Sequence, residues 1–197
     1  MEKPFSQACE NNKSPILSEL KSFFTNVDNV LEVGSGTGQH SVHFAKHLPQ
    51  LQWYTSDRLV NHHGIKQWLS EAQLANLHEP LELDLNDPWP VKQISAIYTA
   101  NTLHIVSKAL VERFFNGVEQ HLAVQGRLCI YGPFKYHGHF TSESNQRFDE
   151  FLKQQDSQSG IRDFEWIQQL AASAGLTLVS DVAMPANNQL LLFKKCA

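Results

Sequence analysis

The sequence offers little to a polyanion. Its 16 lysines and arginines stand against 20 aspartates and glutamates, a formal charge of −4 at pH 7. With no basic stripe to neutralise a run of phosphates, a nucleic-acid partner is not expected. Cysteine is equally sparse: Cys9, Cys129 and Cys196 are scattered without CxxC spacing. That suits neither a disulfide framework nor a thiolate metal site and fits a reducing cytoplasm. Nowhere does an uncharged apolar run approach the roughly 18 residues that span a bilayer. The start, MEKPFSQACENNKSPIL, has no continuous apolar core after its lysine, so neither membrane nor export is expected. Internal repeats and low-complexity linkers are absent too, and oligomeric state leaves no mark. What remains is 197 residues, 42% of them hydrophobic, enough for one domain over 1–197 with a sizeable core.

Apolar, β-rich runs recur at 27–33, 51–56, 79–85, 94–100 and 127–132, most of them followed by a stretch of helical periodicity. That alternation predicts an α/β domain on a parallel sheet, with helices over 38–48, 60–74 and 107–122. The crossover at 86–93 contains DPWP, and its prolines oppose a helix. That side of the sheet is expected to be covered thinly or by the N-terminal segment, 1–26. Two further helices, 142–155 and 163–174, lead into apolar strands at 176–183 and 189–195 joined only by MPANN. So short a link makes an antiparallel hairpin and no parallel crossover. The expected fold is a mostly parallel, seven-stranded, Rossmann-like sheet ending in an antiparallel hairpin.

The first strand runs into LEVGSGTGQH (31–40). A strand, a glycine turn and a helix N-terminus form a loop that approaches a nucleotide-like ligand closely. A dinucleotide fingerprint wants glycine at its first, third and sixth positions, but the sixth here is Gln39, and no GK[ST] follows for a Walker loop. What matches is acid-x-Gly-x-Gly-x-Gly: Glu32, Gly34, Ser35, Gly36 and Gly38. This resembles motif I of the class I S-adenosylmethionine-dependent methyltransferases, and it implies S-adenosyl-L-methionine as cofactor, with Glu32 near its methionine amino group. A carboxylate just before the loop suits a sulfonium and would repel a pyrophosphate. Asp57 ends the second strand, where a carboxylate can accept both ribose hydroxyls, and Asp84 lies near the end of the third. In the methyltransferase pattern the latter position faces the adenine amino group, and the backbone N–H of Leu85 faces the ring.

The fourth strand ends in YTANTLHIVS (98–107), at the carboxyl edge where ligands of open α/β sheets collect. Asn101, Thr102 and His104 are therefore candidates. Amino-methylating members of the superfamily carry [DN]PP[YF] here, and NTLH departs from it. His104, with an ordinary pKa near 6.5, is a candidate general base, or a histidine packed at the cofactor's edge. His40, His43 and His47 share a helix face but lack a neighbouring cysteine or carboxylate, so they read as a polar face and no metal site is expected.

Several strings further resemble the methyltransferase-like protein 26 family: NKSPIL (12–17), LEVGSGTGQHSVHFA (31–45), YGPF (131–134), SNQRFD (144–149), GIRDFEWI (160–167) and MPANN (184–188). They run in that family's order along nearly the whole chain. The resemblance implies a methyltransferase of unassigned acceptor, with Asn12 and Lys13 closing the cofactor pocket and residues 133–175 building the acceptor pocket. The lack of a basic tail or added recognition domain points to a small-molecule acceptor; the alternative is a catalytically silent S-adenosylmethionine-binding protein acting as sensor or partner subunit. By position, Tyr131 ends strand five beside the cleft and is a candidate catalytic residue. Asn145, Arg162 and Asn187 are polar residues in apolar surroundings after it. Arg162 has two readings: it binds an acceptor carboxylate or phosphate, or it pairs with Asp163 or Asp149 and pins the last helices.

Overall fold

A computed structural model describes residues 3–196. The first two residues of the expected cap segment and Ala197 lie outside it. Helix α1 (Gln7–Phe23) occupies most of the expected N-terminal cap segment. Ser6 caps α1 by accepting from the Cys9 amide, and Ile16, Leu17, Leu20 and Phe23 form its buried face.

The α/β alternation then follows as expected: β1 (Asn29–Val33), α2 (Gln39–His47), β2 (Gln52–Asp57), α3 (Leu59–Ala72), β3 (Leu77–Glu82), β4 (Ile94–Ala100), α4 (Lys108–His121) and β5 (Leu122–Gly132). Strands β6 (Phe134–Tyr136) and β7 (His139–Phe140), helix α5 (Glu143–Gln155), strand β8 (Arg162–Asp163) and helix α6 (Phe164–Ser173) come next. Strands β9 (Leu176–Met184) and β10 (Asn188–Lys195) close the chain across a 3₁₀ turn at Pro185–Asn187. Seven strands form the main sheet in the order β3-β2-β1-β4-β5-β10-β9. Strand β10 is antiparallel to both β5 and β9, so the reversed strand lies inside the sheet and β9 forms the edge. The small sheet β7-β6-β8 is a feature that periodicity did not signal, because its strands are only two or three residues long.

Two apolar layers flank the sheet. On one face α1 and α2 pack Ile16, Leu20, Phe24 and Phe44 against Val30, Trp53, Tyr98 and Leu190. On the other, α4 and α6 bring Phe114, Phe115, Val118 and Ile167 against Leu31, Ile97, Leu128 and Leu191. The DPWP crossover belongs to this second face. There Trp89 fills the space of the missing helix, stacked on His121 with centroids 5.7 Å apart. Gly117 of α4 permits it, since a Cβ there would come within 2.2 Å of the indole. The N-terminal segment covers the opposite face, so of the two expected coverings the thin one is realised.

Candidate functional site

The sheet order lays the carboxyl ends of β3, β2, β1, β4 and β5 side by side, and along them runs a cleft of about 1040 Å³. Ligand pockets are typically about 300–1,000 Å³, so this one has room for a nucleoside-sized ligand and a second small molecule.

The glycine loop forms its centre. Gly34 has φ +78°, and a Cβ on it would lie 2.8 Å from the Thr102 hydroxyl, so a side chain would collide with the loop after β4. Gly38 caps α2 at φ +87°, and a Cβ would meet the Ile65 Cα of α3 at 3.2 Å. The loop amides point inward. Those of Gly34 and Ser35 both donate to the Ser56 carbonyl (3.0 and 2.9 Å), and that of Gly38 donates to Ser35 (2.9 Å). The Gly36 amide donates to Asp57 Oδ2 at 2.8 Å. A phosphate cradle needs such N–H groups free and aimed at the ligand. Here four of them are already engaged.

Carboxylates stand on either side of the loop. Glu32 is buried within β1, where its Oε2 accepts from Ser41 and from Trp53 Nε1 (2.8 Å). Burial outweighs these hydrogen bonds and pushes its pKa up to about 7. Asp57 Oδ1 accepts from the Arg58 amide (2.8 Å) and from Asn61 Nδ2 (2.7 Å), and His62 Nε2 holds the Asp57 carbonyl at 2.9 Å. A carboxylate offers about four lone-pair directions. With three engaged, Asp57 accepts two ribose hydroxyls only if Gly36 or Asn61 yields. Asp84 lies past the end of β3, caps its own turn by accepting from the Asn86 amide at 2.9 Å, and lines the cleft with Leu85.

At the other end stand Asn101, Thr102 and His104 from the loop after β4, Pro133 after β5, and Asn145 and Phe148 of α5. Asn101 has a left-handed backbone, φ +55°. The His104 ring meets Phe148 edge-on at 5.4 Å. Burial and the nearby Arg162 charge lower its pKa to about 4, so the imidazole is neutral at physiological pH and a weak base. Arg162 is buried and turned away from the cleft, its Nε donating to the Leu103 carbonyl at 2.9 Å and its Nη2 to Val106 and to Gln158 (2.9 Å). It therefore pins the loop that carries His104.

A family model described as "Protein of unknown function (DUF938)" matches residues 3–195. The chain belongs to the DUF938 family. Its structure is similar to those of an O-methyltransferase family protein from Burkholderia thailandensis (15% identity, TM-score 0.83, 94% of this chain and 56% of that one) and human N-acetylserotonin methyltransferase in complex with SAM (15%, 0.80, 97% and 53%). A putative O-methyltransferase from Nostoc punctiforme is similar as well (15%, 0.81, 95% and 56%). At this identity the likeness shows the fold, which is the Rossmann-like class I methyltransferase fold. The DUF938 chain spans just over half the length of each.

Of the residues singled out in the sequence, this DUF938 protein brings Glu32, Gly34, Ser35, Gly36, Asp57, Asp84, Leu85, Asn101, His104 and Asn145 to one cleft. Others lie apart from its lining. Tyr131 is buried on the α1 face of the sheet, because alternation along β5 turns it from the α5 side. Asn12 meets His40 Nε2 at 2.6 Å beneath α1, and Lys13 pairs with Glu10. Gly38 contacts α3. Asn187, at φ +57°, ties the β9–β10 turn to α5 through Ser144 (3.2 Å), while Asn145 binds the Asn187 carbonyl at 2.9 Å.

His40 is no member of a polar face. It is buried, with Tyr98 3.2 Å from Nδ1 and a pKa lowered to about 4 by burial. Among the described residues no group of histidine, cysteine and carboxylate side chains is arranged to hold a metal ion, and no helix is long and apolar enough to cross a membrane.

The residue whose role sequence reasoning missed is Gln39. Its Oε1 accepts from the Ser6 amide (2.6 Å) and the Thr37 hydroxyl (3.0 Å), and its Nε2 donates to Glu10 (2.8 Å). It clasps the start of α1, so that Ser6, Ala8 and Cys9 wall the cleft. No local sequence signal marks this role, since Ser6 and Glu10 lie 33 and 29 residues earlier in the chain.

Proposed function

We propose that this chain is an S-adenosyl-L-methionine-dependent methyltransferase, as its resemblance to the methyltransferase-like protein 26 family implies, and that it acts on a small-molecule acceptor in the cytoplasm. One observation carries the reading: the amides of the glycine loop are engaged internally while Glu32, Asp57 and Asp84 face one cleft. That combination disfavours a phosphate and favours a cation rich in hydroxyl and amine donors. The cleft fits such a ligand in volume and in charge. Glu32 would stand toward its cationic end, Asp57 toward the ribose, and Asp84 with the Leu85 amide toward the adenine. Asn101 and the loop backbone would complete the cradle. Bound there, the ligand supplies a methyl group on a sulfonium sulfur, which keeps the C–S electron pair as the acceptor's lone pair forms the new bond.

The protein's own part is alignment and exclusion of water. Orientation alone supplies about 7–11 kcal/mol in favourable intramolecular cases, so strong catalytic side chains are not required. Neutral His104 can accept a hydrogen bond from an acceptor O–H or N–H. It is too weak a base to hold the proton, which stays on the methylated product until that product reaches solvent. Tyr131, packed under α1 and outside the cleft lining, takes no direct part in the transfer.

Calorimetry with S-adenosylhomocysteine and with NAD tests the cofactor. Binding of the former alone is expected, and binding of NAD alone would overturn the reading. Transfer of labelled methyl from S-adenosylmethionine into a metabolite extract tests the activity; tight binding with no transfer across broad extracts would make the chain a binding protein.

A further inference from the structure

The acceptor end of the cleft is selective in charge. Its lining from the loop after β4, from α5 and from the β9–β10 turn contains no cationic side chain; the charged residue there is Asp156. The cation of the cleft lining, Arg58, follows β2 and so lies two strands away from β4 in the sheet order. Arg162 is close in sequence to the α5 segment, but its guanidinium is fixed by the carbonyls of Leu103, Val106 and Gln158. An anion could reach it only by displacing the loop that carries His104. His104 itself is uncharged, for the reasons given above. The walls combine neutral polar groups such as Ser144 and Asn145 with apolar ones, Ile105, Leu110, Pro133 and Phe148. Ile105 and Phe148 are 49% and 36% exposed, large apolar side chains left open at the cleft. No hydrogen bond among the described residues engages the His104 ring, which stands at 71° to the Phe148 ring.

Resting on the methyltransferase reading, we propose that the acceptor is an uncharged molecule with a flat apolar body, seated against Phe148, whose hydroxyl or amine meets His104. Acceptors that carry a carboxylate or phosphate are excluded. The exclusion has two physical sources. An anion here gives up hydration without gaining a cationic partner, and it faces Asp156 together with the carboxylates of the cofactor end.

The test uses the full chain saturated with S-adenosylhomocysteine, and a pair of probes that differ by one anionic group, 4-methylphenol and 4-hydroxybenzoate. Binding is read by ligand-observed saturation-transfer NMR, and methyl transfer by label from S-adenosylmethionine. The neutral phenol is expected to bind at least about tenfold more tightly, a difference of about 1.4 kcal/mol. Phe148→Ala should abolish its saturation transfer, while Asp156→Lys should narrow the preference at least about threefold by admitting the carboxylate. Both variants should retain S-adenosylhomocysteine binding, which also shows that they fold. Equal or tighter binding of 4-hydroxybenzoate overturns the proposal. So does failure of both probes on a chain that binds S-adenosylhomocysteine normally. Failure to bind S-adenosylhomocysteine at all overturns the underlying reading instead.

Discussion

At the β1–β3 end of the cleft, function-bearing groups are backbone amides and carboxylates set on strand ends. At the β4–β5 end they are neutral side chains on a loop and on α5, held by a cation that never reaches the cleft. The first end is built by local geometry: Gly36 and Asp57 join adjacent strands through one hydrogen bond. The second depends on long-range contacts, with Arg162 fastening a loop 59 residues earlier in the chain. Damage should therefore spread differently from the two ends.

Removing Arg162 should produce the largest effect. Arg162→Ala leaves the Leu103, Val106 and Gln158 carbonyls without their buried donor and takes away a charge that helps keep His104 neutral. Hydrogen bonds to charged groups contribute about 1.5–3 kcal/mol each and are not additive, so a loss of roughly 3–5 kcal/mol is expected in urea denaturation. A loss below about 1 kcal/mol would show that the loop holds itself.

Asp57→Ala probes the opposite end, where the expected damage is local. The variant frees the Gly36 amide and removes the ribose partner, so S-adenosylhomocysteine binding should weaken by about 1.5–3 kcal/mol in calorimetry. Asn145→Ala, at the acceptor end, should leave that affinity unchanged. If both variants weakened it equally, the division of the cleft into two ends would fail.

The same division explains what the sequence made readable. Strand ends after apolar runs are marked by periodicity, so Glu32, Asp57, Asp84 and the glycines were found from spacing, and MPANN announced the hairpin by its length. Alternation fixes which face a strand residue takes only once register is known. Tyr131 therefore looked like a cleft residue until its pairing with Leu190 and Ala100 placed it under α1. Arg162 was readable only as acceptor ligand or as partner of Asp163 or Asp149; that it pins a loop through the carbonyls of Leu103, Val106 and Gln158 was hidden, because a guanidinium held by backbone carbonyls leaves no complementary residue in the sequence. Gln39 was noticed as the missing sixth glycine, while its grip on Ser6 and Glu10 joins parts of the chain that no local pattern connects.

Glu32 allows the electrostatics of the cofactor end to be sharpened with pH. Its folded pKa of about 7 lies above the unfolded value of 4.5, so the fold favours the protonated acid. Its contribution to stability is fully present below about pH 4.5 and is lost as pH rises through about 7. A cationic ligand reverses that preference by favouring the carboxylate. Affinity for S-adenosylmethionine should therefore rise by up to about tenfold between pH 6 and 8, and Glu32→Gln should flatten the profile. A profile that stayed steep in Glu32→Gln would move the titration to another group.

The smallest effect is expected at Lys13, which the family resemblance places at the closure of the pocket. In the structure its ammonium pairs with Glu10 one turn earlier on α1, and the contact that joins α1 to the glycine loop is made by Gln39. Partly exposed ion pairs contribute about 0–1 kcal/mol, so Lys13→Ala should change S-adenosylhomocysteine affinity by less than about threefold. Gln39→Ala removes the clasp itself and should weaken binding about tenfold, since Ser6, Ala8 and Cys9 would no longer be held as a wall of the cleft. Calorimetry on the two variants decides which residue closes the site. A larger loss in Lys13→Ala than in Gln39→Ala would mean that the ammonium leaves Glu10 and turns to the bound ligand.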